Sequence, residues 1–177
     1  MSTTKVKSLK LTPIESVEIR SADADQLEVL VTYLPGDPPP KHFHPEQDER
    51  FEVLEGTVRV ELDGGVRDLR IGDSLEIPRG AVHRLWNPEE EAARAIWQTT
   101  PAGRTEQWFR ALDALNREGP TGKNGQPGPL AYGVMLSEYR DVFRLAGPDF
   151  LQRPALGLLA TLGRARGYSA TPSVSWR

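Results

Sequence analysis

The 177-residue chain contains no cysteine. Disulfide staples, thiolate metal centres and thiol nucleophiles are therefore excluded, and a transition-metal site would have to use nitrogen and oxygen donors. Histidine is scarce as well, with only His42, His44 and His83. Neither sign of charge is in large excess. The formal net charge of -3 offers no electrostatic footprint for nucleic acid or an anionic membrane. Long apolar runs are missing, and the most apolar stretch, Ala155 to Gly163, is too short to span a bilayer. The opening segment MSTTKVKSLKLTP lacks the apolar centre of a secretory signal. A cytoplasmic protein is expected on these absences.

What is present suits one compact domain with a proper core and a small appendage. Hydrophobic residues make up 38% and charged residues 27% of the chain, an ordinary globular balance. From about Leu11 to Thr100 short alternating segments are separated by turns. Ser16 to Arg20 alternates, Leu27 to Leu34 is rich in β-branched residues, and Val58 to Leu62 places apolar and charged groups on opposite faces. Asp63-Gly64-Gly65 predicts a tight hairpin. So dense a series of strands and turns indicates a sandwich or barrel. After Thr100 the period becomes helical. Helices are expected over Arg104–Glu118, Leu130–Ala146 and Pro154–Arg166, with Gly119–Pro129 as a loop.

All the histidines fall in the strand-rich region. His42 and His44 are two residues apart, a spacing that points both imidazoles to one face of a strand. Glu49 heads an alternating segment in which it shares a face with Phe51 and Val53. His83 lies between Val82 and Arg84, with Leu85 on its side. Taken singly, each histidine fits a hydrogen-bonded core or surface residue, and Glu49 fits a solvated charged run. The His-x-His pair, a carboxylate of matching parity and the use of every histidine favour one shared cation. Burial without a partner would cost each such group several kcal/mol, on the order of 2–7 for a neutral polar group.

Two motifs extend that pattern. Gly36, His42, His44, Glu49 and Gly56 stand at the spacing of the first cupin motif, and Gly72, Pro78, Gly80, His83 and Asn87 at that of the second. Over roughly Leu27 to Gly103 the chain thus resembles the small single-domain bacterial cupins of the quercetinase-like kind. The resemblance implies a mainly β, double-stranded β-helix (jelly-roll) barrel holding a metal on His42, His44, Glu49 and His83. The resemblance also implies a homodimer. With the change to helical spacing, the chain divides into a barrel with N-terminal strands, 1–103, and a helical extension, 104–177, packed on the barrel or on a partner subunit. The motif glycines, Pro78 and Asn87 are read as structural.

Three imidazoles and a carboxylate suit one divalent transition ion, whether Fe, Mn, Ni, Co, Cu or Zn, and leave about two positions open on a six-coordinate ion. Phe51, Val53, Val58, Val60, Leu62, Leu69, Ile71, Leu75, Ile77 and Leu85 share the inward parity. Phe51, Val53 and Leu85 are the expected pocket wall, with Trp97 as a further candidate whose face the pattern leaves open. Glu49 is the one charged residue expected on the inward face of these strands. An apolar or aromatic small-molecule substrate that chelates through oxygen follows: a diketone, enol or phenol. Three readings stand: a dioxygenase with Glu49 as ligand and proton acceptor, a non-redox isomerase, cyclase or lyase, and a binding module without turnover. The extension is either a lid over the barrel mouth or a cover for an exposed sheet or dimer surface.

Overall fold

A computed structural model describes residues 8–118 and 128–170. In chain order the strands are β1 (Leu9–Thr12), β2 (Glu15–Ala22), β3 (Leu27–Tyr33), β4 (His42–Phe43), β5 (Asp48–Glu55), β6 (Thr57–Leu62), β7 (Gly65–Arg70), β8 (Ser74–Ile77), β9 (His83–Trp86) and β10 (Ala93–Thr100). The helices α1 (Thr105–Glu118), α2 (Pro129–Glu138) and α3 (Asp149–Ala165) follow, with a short strand β11 (Arg144–Leu145) between the last two. One sheet has the order β1-β2-β3-β10-β5-β8 and the other β11-β4-β9-β6-β7. All paired strands are antiparallel. The two sheets form the jelly-roll barrel, and the helices follow it.

Alternation along each strand produces this arrangement. In β5 the odd residues Glu49, Phe51 and Val53 are buried, and in β10 so are Ala93, Ala95, Trp97 and Thr99. Apolar residues of both sheets meet as one core, with Val17, Val31 and Val60 fully enclosed. The hairpin between β6 and β7 turns on Asp63 and Gly64, both at positive φ (49° and 83°). That geometry matches the twist of the flanking strands. Gly56 is also at positive φ, 71°, and a Cβ there would stand 3.0 Å from the carbonyl oxygen of Ala92.

Three expectations need correction. Ile71 is not inward but 70% exposed, because the turn after Arg70 breaks the alternation before it reaches that residue. The second helix stops at Glu138 instead of Ala146. Arg104 crosses from the start of α1 to pair with Asp141 and to donate to the Glu138 carbonyl, and the chain then extends into β11 alongside β4. The third helix begins at Asp149, so Pro154 lies inside it. Asp149 accepts charge-assisted contacts from Arg140 and Arg153 at this start. Most of the expected Gly119–Pro129 loop lies outside the described residues. Among the described residues no helix is long and apolar enough to cross a membrane.

Candidate metal centre

The histidines meet because their strands do. His42 on β4 is in direct register with His83 on β9. His44 follows β4, and its backbone carbonyl accepts a 2.8 Å bond from the N–H of Gly80, in the turn that leads to β9. Asp48 reinforces that junction by accepting from the backbone and guanidinium of Arg79. Ligand atoms of His42, His44 and His83 all lie within 4.8 Å of one another, a spacing suited to a single metal ion. Glu49 comes from the opposite sheet. Its Oε1 is 3.4 Å from His44 Nε2 and its Oε2 is 3.1 Å from His83 Nε2.

Each imidazole is oriented by a backbone carbonyl. Nδ1 of His42 is 3.2 Å from the oxygen of Pro40, that of His44 is 2.7 Å from Val142, and that of His83 is 3.0 Å from Ala81. A carbonyl oxygen can only accept, so Nδ1 donates in all three and neutral rings carry their lone pair on Nε2. Those of His44 and His83 face the acceptor-only carboxylate of Glu49. His44 Nε2 and Glu49 Oε2 are buried with no hydrogen-bond partner. Facing acceptors without a donor repel, and a cation between them removes the conflict. The donor set fits a divalent transition ion.

The electrostatics agree. Burial pulls His42 down to about 3, aided by its two imidazole neighbours. Burial also lowers His44 against the pull of Glu49. For His83 burial is outweighed by the Glu49 carboxylate, and its pKa is raised. Burial works to raise Glu49, but the surrounding imidazoles prevail and hold it below the usual carboxylate range.

The cluster opens onto a cavity of about 540 Å³, ample for a small organic ligand. Phe51, Leu85 and Trp97 line it. Trp97 points inward, stacks on Phe51 with ring centroids 5.4 Å apart, and donates from its indole N–H to Glu49 Oε1 at 2.9 Å. Val53 is buried but does not line the cavity. The cavity is also more polar than the strand pattern suggested. Glu15 and Tyr33 from the first sheet line it, as do Asn116 of α1 and Tyr132 of α2. Glu15 escaped the sequence reading because the hairpin at Pro13-Ile14, between β1 and β2, sets its direction.

The extension reaches the centre itself. Trp108, Phe109 and Leu112 of α1 contribute wall, and Phe143, just before β11, stacks on His42 with centroids 4.6 Å apart and rings within 22° of parallel. Trp108 stacks behind Phe143 at 5.3 Å. Asn87 has the structural part expected of it, its amide donating to the carbonyls of Tyr33 and Glu91.

The fold is that of a cupin jelly roll, and its three clustered histidines could hold a metal ion. Residues 29–99, less than half of this chain, match the family model described as "Cupin domain". Polyketide synthase CurC of Streptomyces cyaneus is 37% identical over 72 residues, covering 41% of this chain and 47% of that protein. Tetracenomycin polyketide synthase protein TcmJ of Streptomyces glaucescens is 31% identical over 67 residues, 38% of this chain and 45% of that protein. Oxidoreductase OpS7 of Beauveria bassiana is 47% identical over 48 residues, 27% of this chain and 16% of that protein. The matched segments thus span less than half of each relative. Among solved structures, KdgF from a Halomonas species superposes with a TM-score of 0.54 at 23% identity, covering 59% of this chain and 96% of that one. An RmlC-like cupin from Shewanella frigidimarina superposes with a TM-score of 0.53 at 19% identity, covering 60% and 93%.

Proposed function

We propose that this protein is a metal-dependent cupin enzyme whose His42, His44, His83 and Glu49 hold one divalent transition ion, and that it acts on a small enolisable or phenolic, polyketide-like molecule. The observation that carries this reading is the cluster of three imidazoles, two of them facing the buried Glu49 carboxylate through Nε2, beside an aromatic-walled cavity. A bound ion would supply Lewis acidity and a template for oxygens of the substrate. The protein's own groups do the rest. The Pro40, Val142 and Ala81 carbonyls fix the imidazole tautomers, and the Trp97 indole fixes Glu49. Phe51, Trp97 and Phe143 offer ring faces to a flat substrate and keep water from it. Glu49, which lines the cavity, is placed to take a proton from an enolisable carbon or hydroxyl.

Non-redox enolate chemistry, cyclisation or isomerisation, is the reaction class this supports first, in keeping with the polyketide synthase proteins among the relatives. Dioxygenase chemistry is the second reading. It draws on the oxidoreductase relative and on a nitrogen and oxygen donor set that accommodates redox-active ions. Protein loaded with Fe(II), Mn(II) or Zn(II) and offered a panel of β-diketones and polyphenols decides between them. Substrate loss without O₂ uptake, with Zn(II) as effective as Fe(II), is expected; stoichiometric O₂ uptake confined to redox-active ions supports the dioxygenase instead. No metal-dependent turnover of any member would contradict both.

A further inference from the structure

Glu15 is the carboxylate that the metal centre does not use. It opens β2, stands in register with Tyr33 across the β2–β3 pair, and lines the same cavity as the three histidines. Other partly or fully buried acids of this protein have basic partners: Glu61 has Lys41 and Arg84, and Asp141 has Arg104. Glu15 has neither an ion pair nor a side-chain hydrogen bond among the described residues. Its surroundings are the cavity, the rings of Tyr33 and Tyr132, and at longer range the Glu49 carboxylate. An acid kept in such a place without a protein partner has an acceptor to offer to whatever enters the cavity.

Phe51, Leu85, Trp97 and Trp108 line the same cavity as Glu15 and the imidazoles. The cavity therefore offers a carboxylate outside the histidine cluster together with aromatic walls. We propose that Glu15 is a specificity-determining residue: it accepts a hydrogen bond from a hydroxyl of an aromatic ligand whose chelating oxygens lie at the histidine end. The ligand class is thus narrowed to ring-hydroxylated diketones and related polyphenols, which rests on the function proposed above. Burial, with help from Glu49, pushes the Glu15 carboxyl up to about 7, which lowers the cost of holding it without a cation. A ligand lacking the hydroxyl leaves this acceptor enclosed and unmatched, and that penalty gives discrimination.

The test uses full-length, Zn(II)-loaded protein and its cavity tryptophans as the fluorescence signal. The probes are 1-phenylbutane-1,3-dione and its three ring-monohydroxylated isomers. Wild-type protein is expected to bind at least one hydroxylated isomer about tenfold or more tighter than the parent. In Glu15→Leu that preference falls to about twofold or less, while zinc content and affinity for the parent hold. Glu15→Gln keeps the shape, guards against misfolding of the leucine variant, and, with binding measured at about pH 8 where the wild-type carboxylate prevails, cuts the preference about threefold, since a neutral acceptor is weaker than an anionic one. A wild-type preference that survives unchanged in the glutamine variant overturns the assignment of Glu15, as does wild-type binding of all four probes alike. Failure of wild-type protein to bind any of them overturns the enolisable-ligand reading itself.

Discussion

The imidazole of His44 donates through Nδ1 to the backbone carbonyl of Val142, 2.7 Å away and 98 positions later in the chain. A barrel histidine is thereby oriented by the segment that follows the second helix. The partner is main chain, so no side-chain substitution deletes it. Its neighbour Phe143 is the available lever, wedged between His42 and Trp108. Phe143→Ala should weaken zinc binding by about tenfold, within the range for loss of groups that support metal ligands. Calorimetric titration with Zn(II) checks this, and unchanged affinity would show that the extension does not tune the centre.

Trp97 offers a cleaner separation of orientation from packing. Trp97→Phe keeps a ring against Phe51 and Phe109 but removes the N–H that holds Glu49 Oε1. Metal affinity should fall about 10–100-fold. The folding transition should move much less than in Trp97→Ala, which also empties the space, at about 3–5 kcal/mol.

The metal-free protein should carry a signature of the site in its pH dependence. His42 has its pKa depressed from 6.5 to about 3, so between those values the unfolded chain binds a proton that the folded chain refuses. Its contribution is present above pH 6.5 and is lost as the pH falls, with a slope of at most about one decade in the folding equilibrium per pH unit. His83 has the opposite sign, because its folded pKa is raised: its contribution is present below the unfolded value and disappears as pH rises through the folded one. Denaturant titrations across pH should show His42→Gln flattening the acid limb and His83→Gln the alkaline limb. Parallel curves for wild type and both variants would refute the assigned environments.

Much of this site is legible in the sequence because strands obey a simple parity. Glu49, Phe51, His83 and Leu85 all face inward as a two-residue period requires. Trp97 was ambiguous for a physical reason: β10 is a central strand, and Ala95, Ile96 and Trp97 are apolar on both faces. The end of α2 could not be read locally, since the Leu130–Ala146 stretch stays fairly apolar and Arg104, distant in sequence, supplies the contacts at Glu138 and Asp141. β11 is two residues long and exists through its pairing with β4, so it carries no period of its own. Val142 was invisible for a deeper reason: its carbonyl would be offered by any residue at that position.

The packing of the two later helices makes a prediction independent of metal. A Cβ on Gly163 of α3 would stand 2.7 Å from both the Leu130 carbonyl oxygen and Val134 Cγ2 of α2. Gly163→Ala must push the helices apart and should cost about 1–3 kcal/mol. Gly157, where a Cβ meets nothing within 4 Å, is the control, and Gly157→Ala should gain about 0.5–1 kcal/mol from helix propensity. Thermal unfolding of the two variants decides it.

The central claim is one divalent transition ion held by His42, His44, His83 and Glu49. Elemental analysis of protein equilibrated with Zn(II) and freed of excess tests it most directly, with His44→Ala, His83→Ala and Glu49→Gln treated in parallel. The account predicts close to one ion per wild-type chain and loss of most of it in every variant. Wild-type protein without bound metal, or variants that retain the full complement, would contradict it.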